Sequence, residues 1–96
     1  DLIIPSSVTT IGHYVFRYCH NLESLVIPEG VQTIGNYIFY DCTSLEAVYY
    51  PESVTSIGTG SYKVAYVIEG SFIHRYATGR GYKYKLIERY DLYFVV

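Results

Sequence analysis

The sequence predicts a mainly β solenoid with short helical turns and a C-terminal cap. Three observations predict it: a residue pattern that recurs at a fixed interval, apolar positions that keep step with it, and a fading of the pattern towards the C-terminal end. Pro5, Pro28 and Pro51 lie 23 residues apart. Val8, Val31 and Val54 follow each proline by three, and Ile11–Gly12, Ile34–Gly35 and Ile57–Gly58 come next. Phe16 and Phe39 match, as do Cys19 and Cys42, Leu22 and Leu45, and Glu23 and Glu46. A period of this size marks a stack of small units, none of which can bury its apolar face alone.

Within one unit the elements follow from the side chains. The stretch from Leu22 to Ile27, repeated from Leu45 to Tyr50, alternates as a strand that turns Leu25 and Ile27 inward and Val26 outward. The proline that follows cannot donate a ladder hydrogen bond and ends the strand. A second extended piece, Val31 to Ile34, leads to Gly35, which suits a bend or a close backbone approach. The seven residues Asn36 to Cys42 are too few for a long helix and read as one helical or 3₁₀ turn. Phe39, Cys42 and Leu45, three apart, plug the core from that side.

Units are expected at 1–23, 24–46 and 47–69, the third degenerate after Gly58, with a cap over 70–96. Tyr62, Ala65 and Ile68 are expected to hold the Phe, Cys and Leu positions of the third unit. In the cap, Ser71 is the natural N-cap of a short helix that Gly79 and Gly81 stop. Tyr82 to Ile87 alternates as a strand with Lys83 and Lys85 on one side, which discourages edge-to-edge pairing. Tyr93 to Val96 is a last apolar strand or a partly ordered tail.

The pattern L-x-I-P-x-x-V-x-x-I-G-x-x-x-F-x-x-C-x-x-L, as it runs from Leu25 to Leu45, resembles the BspA-type leucine-rich repeats of bacterial and protozoan cell-surface proteins. The resemblance is strong over residues 1–58 and weaker over 66–87. It implies a right-handed leucine-rich-repeat superhelix with parallel sheets on a secreted or surface-anchored protein that binds a host or matrix protein. The chain departs from the pattern where Val15 and Ile38 replace the alanine usual before the phenylalanine.

Composition sets limits. Half the residues are apolar and 17% are charged, which excludes a disordered tail. Apolar runs of four or five residues are too short for a membrane span, and no signal peptide is expected within this sequence. Residues 1–58 carry Arg17 against six acidic side chains, whereas 59–96 carry six basic against three acidic. The basic and aromatic run from His74 to Lys85 could in principle grip single-stranded nucleic acid. The acidic repeats and a net charge of −2 argue against a nucleic-acid partner. Thirteen tyrosines without a tryptophan suit rings that pack while their hydroxyls stay wet.

No catalytic or cofactor chemistry is expected, and none of His13, His20 and His74 falls one period from another histidine or a cysteine to form a metal ladder. Cys19 and Cys42 share a repeat position on adjacent units. Their parallel side chains make poor disulfide geometry and favour free, buried thiols. Gly58 to Lys63 lacks the spacing of a phosphate loop. Glu23, Glu46 and Glu69 recur at the period and are expected as a row of like charge.

Stacked repeats bind through one outward position per strand. Here that position is Ile3, Val26 and Tyr49, flanked by Ser24 and Ala47 and rimmed by Glu23 and Glu46. An apolar row where solvent favours polar residues reads as a protein-binding surface. The alternative is a purely structural spacer within a larger surface protein. Because Asp1 to Ile4 reads as the tail of a unit, a longer array is expected, with a homodimer through this end as a possible consequence of cutting it.

Overall fold

A computed structural model describes residues 2–88 of the 96. Asp1 and the expected last strand at Tyr93–Val96 lie outside the described residues. The strands are β1 (Thr10–Ile11), β2 (Ser24–Val26), β3 (Thr33–Ile34), β4 (Ala47–Tyr49), β5 (Ser56–Ile57), β6 (Ala65–Ile68) and β7 (Tyr84–Ile87); the helix α1 (Phe72–Arg80) stands between the last two. They form two parallel sheets, β1-β3-β5 and β2-β4-β6-β7. Along the chain the strands alternate between the sheets as far as β6, and β1, β2, β3 and β4 each pair with the strand one unit on.

The 23-residue period is the register itself. Thr10 pairs with Thr33 and Thr33 with Ser56; Ile11 pairs with Ile34 and Ile34 with Ile57. In the second sheet Ser24, Leu25 and Val26 pair with Ala47, Val48 and Tyr49. Leu25, Ile27, Ile34, Phe39, Val48, Tyr50 and Val54 are buried in one cluster, and Phe16 stacks on Phe39 with ring centres 6.0 Å apart. The inward positions of the strands and the Phe and Cys positions of the turns thus form one core.

Glycine sets how closely the units approach. A Cβ on Gly35 would lie 2.8 Å from the carbonyl carbon of Gly12, and one on Gly58 would lie 2.6 Å from the carbonyl carbon and oxygen of Gly35. Only a residue without a side chain fits there.

The segment expected to be helical is not. Over Asn36–Asp41 the chain runs through consecutive turns, with Tyr37 at φ 52° and Asp41 at φ 58°. The first unit repeats the feature with Tyr14 at φ 60° and Tyr18 at φ 62°. The hydrogen bonds explain why. Arg17 N donates to Tyr14 O, but Tyr14 N, Phe16 N and Tyr18 N donate across to Asn36 O, Ile38 O and Tyr40 O. Donors committed to a neighbouring unit cannot close helical turns within their own. The expected helical or 3₁₀ turn is thus a run of separate i→i+3 turns, as in Tyr40 N to Tyr37 O and Cys42 N to Phe39 O, between donors committed to the next unit, and no continuous helix forms.

The third unit is also corrected. Val48 pairs with Ala65 and Tyr49 with Tyr66, a step of 17 residues in place of 23. The longer period persists only as far as Ser61, whose hydroxyl accepts from Ile38 N at 3.1 Å. Six residues of the turn are then missing, so Ala65 and Ile68 lie in a strand and do not occupy the Cys and Leu positions. The last strand follows after 19 residues, Ala65 pairing with Tyr84 and Ile68 with Ile87.

Tyr50 fills the space this shortening creates. It occupies the position of Ile27 one period earlier and is fully buried. Its hydroxyl donates to Ser61 O at 2.9 Å and accepts from Lys63 N at 3.3 Å, so it satisfies the backbone of the shortcut. Burial pushes its phenol far above the ordinary tyrosine range.

Helix α1 begins as expected, with the Ser71 hydroxyl accepting from His74 N at 3.2 Å. It runs through Gly79, which does not stop it, and ends at Gly81 in the left-handed region. Ile73 and Ala77, four residues apart, are its buried face. Arg80 in the last turn complements the helix dipole.

Candidate interaction surface

The strands of the second sheet present alternate side chains to the core and to the outer face. Val26 and Tyr49, both half-buried, are direct cross-strand partners, as are Ser24 and Ala47. Glu46 N donates to Glu23 O at 2.8 Å, which sets these two residues side by side at the start of the strands. Ile3 is 75% exposed but belongs to no strand, so sheet pairing does not join it to the row.

The row continues where the sequence period no longer indicates it. Tyr49 pairs with Tyr66, and Tyr66 with Lys85. The two tyrosine rings stack with centres 4.4 Å apart and planes 25° apart, and Lys85 Nζ lies 5.7 Å from the Tyr66 ring. Partial burial, and then the neighbouring Tyr66 phenol, raise the Tyr49 phenol above its usual range. The surface is thus Val26, Tyr49, Tyr66 and Lys85, apolar at one end and cationic at the other. A strict 23-residue reading hides Tyr66, because it sets this residue opposite Thr43 and His20.

The same shortening breaks the expected acidic row. Continuing the β4–β6 register back by two places sets Lys63, not Glu69, beside Glu46. Glu69 follows β6 at the other end of that strand.

The turns carry a second aromatic group. Tyr14 stacks on Tyr37 at 5.8 Å, and Tyr40 meets Tyr14, Tyr18 and Tyr37 edge-on at 5.9, 5.9 and 6.5 Å. All four rings are exposed. Gly60 holds the place one period after Tyr37, where a Cβ would collide with the Tyr37 ring, so the stack ends there. Tyr14 and Tyr37 share a repeat position in plain view. A helical turn would place them differently, which conceals the stack from a reading of the sequence.

Two of the three histidines, His13 and His74, serve the backbone. His13 Nδ1 accepts from Asn36 N at 2.8 Å, and Asn36 Oδ1 accepts from Thr59 N at 2.9 Å, one polar side chain per unit. His20 Nε2 meets Asp41 Oδ2 at 3.2 Å on the surface. His74 Nδ1 accepts from Gly70 N at 3.0 Å ahead of α1.

Both cysteines are free thiols. Cys42 donates to Phe16 O at 2.9 Å, and burial raises its thiol above the usual value, which keeps it protonated and unreactive. Cys19 adjoins His20 in the chain, yet its thiol points to Arg17 O at 3.9 Å. Among the described residues no thiol–imidazole hydrogen bond forms, and no group of three or more His, Cys, Asp and Glu could hold a metal ion. No helix among them is long and apolar enough to cross a membrane.

Two parallel sheets whose first units pair in a 23-residue register, with an outward row of side chains, define a repeat protein of the leucine-rich class. The model of the family described as "BspA type Leucine rich repeat region (6 copies)" matches residues 1–75, and the chain belongs to that family. The match runs past the last full period into α1. Repeats of this type are generally protein-interaction or surface-protein modules, commonly surface-located or secreted, and typically non-catalytic. No curated protein and no solved structure matches the chain.

Proposed function

We propose that this chain is a non-catalytic, adhesion-type protein-binding module of a cell-surface or secreted protein. In this reading residues 1–69 form a right-handed repeat solenoid and residues 70–96 its C-terminal cap. The partner, a host or matrix protein, lies on the outward row Val26 and Tyr49, extended by Tyr66, and also meets the exposed Ile3 outside the sheet. Ser24 and Ala47 keep the neighbouring surface shallow, and Glu23 and Glu46 form its polar rim.

The stacked pair Tyr49–Tyr66 on the outer face of the second sheet carries this reading. Two half-buried rings supply rigid contact area at low entropic cost, the kind of anchor that dominates protein interfaces. A panel of matrix and host-surface proteins, immobilised and probed with the wild-type chain and with a Val26→Glu/Tyr49→Ala/Tyr66→Ala variant, tests it. At least one partner is expected to bind the wild-type chain and to lose about tenfold or more in affinity with the variant, equivalent to ~1.4 kcal/mol or more. Equal binding by a correctly folded variant would remove this surface from consideration.

A further inference from the structure

The six-residue shortening of the third unit leaves more than a change of register. Between the segment that follows the Thr59–Gly60 turn and the loop after α1 lies an open cleft of about 420 Å³. Three tyrosine rings wall it: Tyr62 lies 4.9 Å from Tyr82 and 6.0 Å from Tyr76, and Tyr76 lies 6.1 Å from Tyr82, centre to centre. Lys63 and Lys83 also line it, and among the described residues no carboxylate does. Arg80 covers one face of Tyr76 with its guanidinium 4.0 Å from the ring centre, adding a third cation at the rim.

The polar groups divide into engaged and available ones. The Tyr62 hydroxyl donates to the Lys83 carbonyl and braces the wall. The hydroxyls of Tyr76 and Tyr82 make no hydrogen bond to the described residues, and Tyr82 is exposed. Neither lysine ammonium is in an ion pair with the described residues, where the only close acid–base contact shown is His20–Asp41. Among the described residues, the cleft therefore offers two ammonium groups outside any ion pair, the exposed Tyr82 ring and two hydroxyls without a hydrogen bond.

We propose that this cleft binds a uronic-acid residue of an acidic polysaccharide. The carboxylate lies between the ammonium groups of Lys63 and Lys83, the C–H face of the sugar packs on the Tyr82 ring, and sugar hydroxyls meet those of Tyr76 and Tyr82. Each class of group in the cleft then has a counterpart, in a site that is partly apolar with a few convergent polar groups. An acidic peptide would use the lysines and leave the ring face and hydroxyls without matched partners. A nucleic-acid strand could stack bases on the rings but would leave the hydroxyls of Tyr76 and Tyr82 without the several sugar hydroxyls that a uronic acid presents. A cationic ligand, the usual occupant of an aromatic cage, is repelled by Lys63, Lys83 and Arg80.

Isothermal titration of the full chain with an oligogalacturonate tests the proposal. The comparison ligands are a neutral oligosaccharide of the same length, a poly-glutamate peptide and a single-stranded oligodeoxynucleotide, each at low and at high salt. The oligogalacturonate is expected to bind more tightly than the other three and to weaken as salt rises. Lys63→Gln/Lys83→Gln and, separately, Tyr82→Ala are each expected to weaken it about tenfold with an unchanged far-ultraviolet circular dichroism spectrum, whereas Tyr49→Ala leaves it unaltered. The Tyr49→Ala arm separates this site from the sheet surface, so either can fail without the other. The proposal is overturned by no binding of the oligogalacturonate, by equal or tighter binding of any comparison ligand, or by full affinity in the folded double-lysine variant. Because Tyr82→Ala removes wall packing as well as a contact, Tyr82→Phe is the second variant. Retained ring stacking with loss of one hydroxyl predicts affinity between those of wild type and Tyr82→Ala, and an affinity as low as that of Tyr82→Ala overturns the assigned role of the ring face.

Discussion

The chain before Gly58 and the chain after it solve the same stacking problem in different ways. Up to Gly58 each unit meets its neighbour through identical positions: Thr10 on Thr33 on Ser56, and Gly12 under Gly35 under Gly58. After it the steps are 17 and then 19 residues, and rings and a helix replace the missing turn: Tyr50 stacks on Tyr62 with planes 8° apart, and α1 supplies Ile73 and Ala77. Strict repetition lets the backbones approach closely at the glycines, with identical side chains stacking on one another. Broken repetition requires bulky side chains whose polar tips also satisfy the backbone.

Substitutions sharpen the contrast, the largest effects falling where backbones touch. Gly58→Ala forces a Cβ into the Gly35 carbonyl and should destabilise the fold by ~3 kcal/mol, while Gly12→Ala, whose nearest contact is its own neighbour Val15 at 3.6 Å, should stay within about 0.5 kcal/mol. Urea denaturation of the two variants measures the difference, and equal midpoints would contradict a glycine-limited spacing. At the junction, Ser61→Ala leaves Ile38 N without its buried partner and should cost about 2 kcal/mol by the same measurement.

Tyr50→Phe keeps the ring and removes the hydrogen bonds to Ser61 O and Lys63 N, at a cost of ~1–1.5 kcal/mol near neutral pH. It should also alter alkaline behaviour. In the folded chain the Tyr50 phenol is raised, so the unfolded state loses protons first, and stability present below about pH 10 declines as the pH rises above it. Without Tyr50 that decline should be shallower. It does not vanish, because burial, with neighbouring phenols, also pushes Tyr62 up to about 12. Denaturation midpoints at neutral and alkaline pH give the two slopes, and identical slopes would exclude Tyr50 as their main source. The smallest effect has the opposite sign. Gly79 lies in α1 without a left-handed backbone, and an added methyl would meet nothing within 4 Å, so Gly79→Ala should stabilise by about 0.5–1 kcal/mol, seen as a raised Tm.

What could be read from the sequence follows the same division. The prolines, Leu25 and Ile27, the glycines of the turns and the Ser71 cap were all legible, because each answers a local demand that recurs or has a known chemical signature. The pairing of Val26 with Tyr49 and of Ser24 with Ala47 followed from the period alone. The left-handed turns at Tyr14 and Tyr37 were not legible, since tyrosine carries no preference for that region and only the inter-unit hydrogen bonds impose it. Tyr66 was missed and Glu69 misplaced for a related reason. A deletion of six residues leaves no mark in a decayed pattern until strand pairing reveals the new register.

The ring stacks make the protein its own optical reporter. With no tryptophan to drain excitation, ultraviolet energy absorbed by one tyrosine can pass to others whose centres lie 4.4–6.5 Å away in both the sheet row and the turn group. Near-ultraviolet circular dichroism therefore carries coupled signals from two separated faces. Tyr49→Phe would dim the sheet signal and Tyr37→Phe that of the turns, so each face can be followed by itself as ligands bind or the chain melts.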